Sequence, residues 1–319
     1  MTEERCEARG ATRNVLTMDS SALSQPSPIA PDAVPRLGLG WFGIAVRIVV
    51  AIAILMLGNI AAGLAPAALA LIPGAMDLLS GASPWGFAAA IAMQVLVLAI
   101  VVVAVGAWMR WVERSPLRVA GWRWNRRSPL HLMLGIVAAA GSLVAVTALL
   151  PSTAPVLDDS ALLGGRSEAP TALLVLYYLG LAFLQQAIPE ELLFRGWLLW
   201  RLRDRPVLAV VVTTLAFTVI HLVSNGGQES FWEHVMYLAL PFGFALLAVG
   251  LLLWTGSLWA AVGVHGGFHV GNYIATGVLP QVDTVTSWLA IGGVQAVIGL
   301  GLVVTALRRG KRILPDGAR

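Results

Sequence analysis

Residues 171–203 read TALLVLYYLGLAFLQQAIPEELLFRGWLLWRLR, an apolar stretch whose second half carries two adjacent glutamates and an arginine. Residues 171–188 alone are close to the ~20 residues that cross a bilayer as a helix. The helical pattern resumes after Pro189 and continues to about Arg203, so that the whole stretch would span roughly 50 Å at 1.5 Å per residue. This length exceeds the ~30 Å hydrocarbon core, and Glu190 is therefore predicted to lie within the membrane.

The composition of the whole chain is that of an integral membrane protein. Of its 319 residues, 58% are hydrophobic and 12% are charged, whereas soluble domains carry about a quarter charged residues. The formal net charge of +4 does not indicate nucleic-acid binding, because the basic residues cluster in short loops between apolar segments, where they set membrane topology. The lipid bilayer is the predicted partner, and no nucleic acid is expected.

Eight apolar segments are long enough to cross a bilayer, which predicts an all-α, polytopic transmembrane helix bundle of about eight spans. Their approximate bounds are 41–64, 85–108, 130–150, 171–188, 207–223, 235–254, 257–276 and 286–307. Residues 1–38 are polar and rich in Ser, Pro and Ala, and they are predicted to form a disordered N-terminal tail. N-terminal transmembrane helices are expected over 39–160, a helical core over 161–280, and a last helix with a basic tail over 281–319.

The charged residues of the loops predict how the bundle is oriented. Residues 109–129 and 195–205 are rich in arginine, and the C-terminus is also basic. The alternate loops, 73–84 and 151–170, contain few basic residues. The positive-inside rule then places both termini in the cytoplasm, as expected for a multi-pass protein of the cell membrane.

His221 is predicted to reach the same depth as Glu190. It lies about 14 residues along the segment that follows the turn near Asp204, which corresponds to roughly 20 Å. Glu190 lies about as far from this turn along the preceding segment, which runs antiparallel. If the two helices are neighbours, the carboxylate and the imidazole come within side-chain reach.

The segment WAAVGVHGGFHVGNY, residues 259–273, predicts a helix with two different faces. One face presents polar side chains at i, i+4 and i+7, namely His265, His269 and Asn272. The other face carries glycines spaced by four residues, which allow a neighbouring helix to approach closely; these are Gly263, Gly267 and Gly271.

Several ionisable groups at membrane depth indicate a function, because each costs at least ~2.5–3.5 kcal/mol on insertion scales. Glu191 and Arg195 are spaced as an i,i+4 ion pair, which either ties the helix together or holds a carboxylate in place. Glu190 beside His221 suits the activation of a water molecule for hydrolysis. There is no GxSxG segment for a serine nucleophile and no HExxH zinc motif.

Two further roles are predicted around this pair. His265, with His269 or Asn272, suits stabilisation of an oxyanion. No cofactor is predicted, although three histidines and two glutamates leave metal binding open.

Three segments in order resemble motifs of the CAAX prenyl protease 2 and bacteriocin-processing (CPBP, or Abi) family of intramembrane proteases. EELLFR resembles its EExxxR motif, FTVIH its FxxxH motif, and SLWAAVGVHGGFH its last motif, a histidine followed four residues later by asparagine. The resemblance covers about residues 171–276. It implies a glutamate-dependent endopeptidase without an obligatory metal, which acts on membrane-associated or prenylated-type substrates.

The resemblance also implies roles for individual residues. Glu190 and His221 would activate the water. Glu191 and Arg195 would complete the first motif, and His265 would be the later catalytic histidine. His269 departs from the family pattern, because it occupies the position of the asparagine.

Two other functions stay open at this point. The histidine at position 269 favours a non-catalytic membrane scaffold or immunity protein that kept the fold. Buried glutamates and histidines also form proton relays, as in a proton-coupled transporter, but the sequence shows no inverted repeat of the transporter kind. The peptide or lipoprotein substrate is not identified by the sequence.

Overall fold

The computed structural model describes residues 35–72, 74, 84–157, 170–311 and 313. These residues form helices and one short antiparallel strand pair, so the predicted all-α helix bundle is confirmed. The helices are α1 (Trp41–Leu69), α2 (Pro84–Trp111), α3 (Ser128–Leu149), α4 (Thr171–Arg201), α5 (Pro206–Ile220), α6 (Phe231–Tyr237), α7 (Ala239–Thr255), α8 (Leu258–Val278) and α9 (Thr284–Arg308). The strands are β1 (Ser152–Ala154) and β2 (Gln281–Val282), and 3₁₀ turns occur at Leu117–Ala120 and His221–Val223.

Seven spans formed by the described helices are long and apolar enough to cross a membrane, and the protein is a multi-pass membrane protein. The eighth predicted span is present as α8, which has 21 residues. Its histidines, glycines and asparagine make it less apolar than the other spans, and most of its first half is buried by neighbouring helices. Large apolar side chains such as Val103, Val137 and Val297 lie exposed on the outside of the bundle, where lipid is expected.

Parts of the predicted domain organisation lie outside the described residues. The predicted disordered tail, 1–38, is described only for its last four residues. The predicted boundary at residue 160 falls within 158–169, which are not described. The domain division, the cytoplasmic position of both termini and the location in the cell membrane stay predictions.

Helix α4 continues through Pro189, whereas the sequence indicated a helical pattern that resumes only after this proline. Residues on both sides of it, Ile188 and Leu192, have right-handed helical backbone angles. Two π-helical segments, Leu181–Ala187 and Leu192–Leu198, flank the Ile188–Glu191 turn. Proline lacks an N–H and clashes with the preceding turn, and wider π turns are a common way to accommodate an irregularity, often at functional sites.

A buried ionic network joins α4 to the first two helices at one end of the bundle. Arg47 of α1 donates two hydrogen bonds to Glu113, at 2.7 and 2.9 Å. The second carboxylate oxygen also lies 3.0 Å from Arg201 of α4. The indoles of Trp108 and Trp197 donate to the first oxygen, at 3.0 and 3.2 Å. The network fixes the end of the helix that carries Glu190.

Arg47 also ties the chain before α1 to the same end. Its guanidinium donates to the carbonyl oxygens of Leu37, Gly38 and Gly43. The opposite end of the bundle is closed by the pairing of β1 with β2. Glu113 lies within the arginine-rich segment 109–129, and nothing in the local sequence indicates that this acid is buried.

The predicted glycine face of α8 is confirmed as the contact with α3. A Cβ atom added at Gly267 would lie 2.5 Å from the Cα of Ile136, and one at Gly271 would lie 2.7 Å from the Cα of Ala140. At Gly263 an added Cβ would collide with the carbonyl of Leu132. The two backbones therefore approach closely, as small residues permit between membrane helices. This contact sets the rotation of α8 and directs its histidines towards α4.

We expect Gly267→Ala to lower the stability of the protein by about 1–3 kcal/mol, because the new methyl group forces α3 and α8 apart. The midpoint of thermal unfolding in detergent measures this change. Gly141→Ala is the matched control, since Gly141 lies on α3 with open space around it. Equal stability of the two variants would contradict the close contact.

Candidate active site

Glu191 is the centre of a buried polar contact between α4 and α8. Its Oε1 atom accepts a hydrogen bond from Arg195 at 3.1 Å, so the predicted i,i+4 ion pair is present. The same oxygen lies 3.2 Å from Nδ1 of His265, which is 74 residues away in sequence. All three side chains are almost completely enclosed. In so apolar a setting these contacts are stronger than they would be in water.

Four other polar atoms at this place are buried without a hydrogen-bond partner among the described protein residues. They are Oε2 of Glu190, Oε2 of Glu191, and Nε and Nη2 of Arg195. A buried polar group without a partner costs about 1–3 kcal/mol, so such groups in a folded protein call for a specific explanation. These atoms are suited to hold a water molecule or a polar group of a substrate.

Glu190 and Glu191 therefore differ in their surroundings although they are adjacent. Glu191 is held by two side chains. Among the described residues, no hydrogen bond fixes the carboxylate of Glu190, which interacts electrostatically with Glu191, Arg195 and Tyr237. Of the two acids, Glu190 is the one whose carboxylate is not held by a hydrogen bond from a described side chain.

His221 lies just beyond the C-terminal end of α5, where it starts a 3₁₀ turn. Its Nδ1 atom is 2.8 Å from the carbonyl oxygen of Phe217. A carbonyl oxygen only accepts, so Nδ1 carries the proton and donates it. In the neutral ring Nε2 is then an acceptor.

Phe217 forms a wall of the site. Its ring lies 4.6 Å from that of His221 and 5.8 Å from that of His265, between centroids. The guanidinium of Arg195 stacks over the same ring at 4.1 Å, a favourable cation–π geometry. One aromatic ring thus contacts residues of α4, α5 and α8 and holds them at a common level.

Phe244 of α7 forms a second wall that the sequence did not reveal. Its ring centroid lies 5.0 Å from that of His265 and 5.2 Å from that of Phe268. His269 stacks on His265 at 5.4 Å. Phe244 lies in an apolar segment without a polar neighbour in sequence. The local sequence therefore does not indicate that this residue lines the site.

Asn272 is exposed and lines a separate cavity, although it shares a helix stripe with His265 and His269.

No group of three or more His, Cys, Asp or Glu side chains is arranged to hold a metal ion within the part of the chain that the structure describes.

Comparison with known families identifies a match in the second half of the chain. A family model for type II CAAX prenyl endopeptidases, Rce1-like, matches residues 172–271. The matched region contains every predicted site residue from Glu190 to His269, and it overlaps the 171–276 region of the resemblance noted from the sequence. The resemblance to the CAAX protease family is thereby confirmed. No curated protein gives a significant match to the chain.

Proposed function

We propose that this chain, whose residues 172–271 match the Rce1-like model of type II CAAX prenyl endopeptidases, hydrolyses peptide bonds of membrane-associated substrates with a water activated by Glu190 and His221. The family supports peptidase activity in general. The observation that supports the mechanism is the asymmetry of the two acids: Arg195 and His265 hold Glu191 through Oε1, whereas no hydrogen bond from a described residue holds the carboxylate of Glu190.

In this mechanism Glu190 is the general base. It removes a proton from the water as the oxygen attacks the carbonyl carbon of the peptide bond, and His221 orients that water through Nε2. The proton then passes from Glu190 to the nitrogen of the leaving amine as the C–N bond breaks. The products are a new carboxyl terminus and a new amino terminus.

Glu191 and Arg195 act as positioning residues. Arg195 holds the Glu191 carboxylate, and Oε1 of this carboxylate contacts Nδ1 of His265 and so orients the ring. When Nε2 of His265 carries the ring proton, this N–H can donate a hydrogen bond to the oxyanion of the tetrahedral intermediate. His269, stacked on His265, supplies a second donor where the family has asparagine.

The function is tested with the purified full-length protein in detergent and a library of membrane peptides. We expect new peptide termini, identified by mass spectrometry, and we expect cleavage to survive exhaustive chelation. The absence of any cleaved peptide under conditions that keep the protein folded would overturn the proposed activity. Loss of cleavage on chelation, restored by an added divalent metal, would overturn the metal-free mechanism.

His269 favours one alternative, a membrane scaffold or immunity protein that kept the fold without turnover. The protease hypothesis and the scaffold hypothesis predict different cleavage activities for variants at position 269. A scaffold shows no cleavage with either histidine or asparagine there, whereas a protease tolerates both donors.

We therefore expect His269→Asn to cleave at the wild-type rate or faster, because the amide donates a hydrogen bond from the same helix position. His269→Ala, which has no donor, should lower kcat by about 10²–10³-fold. Steady-state cleavage rates of the three proteins provide the measurement. Equal rates for His269→Ala and the wild type would remove His269 from the site.

A further inference from the structure

We propose that a polar cavity next to the active site, at the end of the bundle where β1 pairs with β2, binds a short uncharged polar segment of the substrate peptide. The inference rests on the proposed peptidase function and specifies which substrates that site accepts. The cavity has a volume of about 220 Å³. It lies between α3, α8, β2 and α9, and Gly226 of the loop before α6 completes its wall.

Six of the residues that line this cavity carry hydroxyl or amide groups. They come from α3, α8, β2 and α9, and they are Thr147, Asn272, Thr276, Gln281, Thr284 and Ser287. Apolar rings, those of Phe268 and Trp288, form part of the wall. None of the described residues that line the cavity is charged.

The cavity adjoins the active site through α8. Phe268 lies in its wall, and the same ring stacks on Phe244, which packs against His265. Asn272 follows His269 by three residues, which is about 4.5 Å along a helix axis. A substrate that reaches the oxyanion donors therefore has its next residues beside the cavity.

Tyr237 of α6 forms a second link between the two places. Its ring packs edge-on against Trp288 at 5.3 Å, and it would lie 2.7 Å from a Cβ atom added at Gly226. Both of those residues line the cavity. The phenol also interacts through space with the charge of Glu190. Tyr237 thus lies near both the cavity wall and the catalytic glutamate.

The size of the cavity indicates the kind of ligand. A volume of this size corresponds to about seven water molecules at ~30 Å³ each. It falls below the ~300–1,000 Å³ that enclose whole small molecules, so one or two side chains of a peptide fit.

The lining indicates the chemistry of those side chains. A charged side chain here would lose its hydration without gaining an opposite charge, which is strongly unfavourable. Serine, threonine, asparagine or glutamine side chains can exchange hydrogen bonds with the lining hydroxyls and amides instead.

The test places a charge in the cavity and measures the change in specificity. Ser287→Lys is the test variant, and Ser152→Lys is its matched control, because Ser152 is exposed at the same end of the bundle and does not line the cavity. The substrates are membrane peptides with one apolar segment and a polar flank in which each position is varied among Ser, Asn, Asp and Lys.

We expect the wild type to cleave peptides with Ser or Asn at one flank position at least 10-fold faster than those with Asp or Lys. The Ser287→Lys protein should shift this preference at least 10-fold towards Asp, and Ser152→Lys should keep the wild-type preference. An unchanged preference in a folded, active Ser287→Lys protein would overturn the subsite.

A second measurement keeps the proposal testable when the lysine variant does not fold or the wild type cleaves nothing. The chain has a single cysteine, Cys6, so Ser287→Cys can be labelled selectively in a Cys6→Ala background. We expect an uncleaved membrane peptide with a Ser or Asn flank to slow maleimide labelling at position 287 at least 5-fold. Labelling that is equally fast with and without peptide would overturn the subsite. An absence of cleavage together with protection would overturn the proposed peptidase function alone.

Discussion

Replacement of Glu190 by glutamine should lower the rate of peptide cleavage by about 10²–10⁴-fold, the usual contribution of a general base. The size and shape of the side chain stay the same, but the amide cannot take a proton from water. Glu190 makes no hydrogen bond to the described protein residues through its buried oxygen, so the substitution breaks no contact that stabilises the fold. We expect an unchanged or slightly raised unfolding midpoint.

Glu191→Gln is the control that separates the two acids. It weakens contacts with both Arg195 and His265 and leaves a buried guanidinium without a counter-charge, so it should lower stability as well as activity. Initial rates with a cleaved membrane peptide, together with thermal unfolding in the same detergent, distinguish the two variants. A Glu190→Gln protein that keeps more than a tenth of the wild-type rate would rule out this residue as the base.

Glu113→Gln should destabilise the protein by about 3–5 kcal/mol, the cost of removing one partner from a buried charge pair. Glu113 is completely enclosed, and it accepts two hydrogen bonds from Arg47 in addition to the ion pair with Arg201. A neutral amide leaves both arginines without their counter-charge. The amide NH₂ also has no acceptor where the indoles and guanidinium groups all donate.

The unfolding midpoint and its dependence on denaturant measure this loss. Glu229→Gln is the matched control, because Glu229 lies exposed in a loop and such a substitution normally changes stability by no more than about 0.5 kcal/mol. Equal unfolding midpoints for the two variants would show that the network contributes little. Activity should fall with stability in Glu113→Gln, since the network fixes the end of α4.

We also expect the stability of the protein to depend on pH through the buried carboxyl group of Glu113. Burial alone would raise the pKa of Glu113, but the hydrogen bonds and charge of Arg47, with the indoles of Trp108 and Trp197, outweigh burial and hold this pKa below its usual value. A carboxyl group whose pKa is lowered by folding stabilises the protein above its unfolded pKa of ~4.3, and this contribution is lost as the pH falls through the folded pKa.

We therefore expect the wild type to lose stability on acidification below about pH 4.3, and Glu113→Gln to lack this part of the acid dependence. Unfolding midpoints of both proteins over a pH series provide the comparison. Parallel pH profiles would contradict the assignment to Glu113.

The sequence by itself determined the helices and most of the residues that meet at the site. Hydrophobic length predicted the spans, and the count of residues from the turn near Asp204 predicted a similar depth for Glu190 and His221. The i,i+4 spacing predicted the contact of Glu191 with Arg195, and the glycine spacing predicted the close packing of α8. These features follow from the geometry of a single helix, which is encoded by residues close together in the chain.

The tertiary structure decided which of the two glutamates is held and which is free. Both are local neighbours of Arg195, but only the rotation of α8, set by its glycine contact with α3, brings His265 onto Glu191. The tertiary structure also decided that Phe244 lines the site, that Arg47 encloses Glu113 and that π turns flank the turn with Pro189. Each depends on packing between helices far apart in sequence, and local periodicity carries no information about such partners.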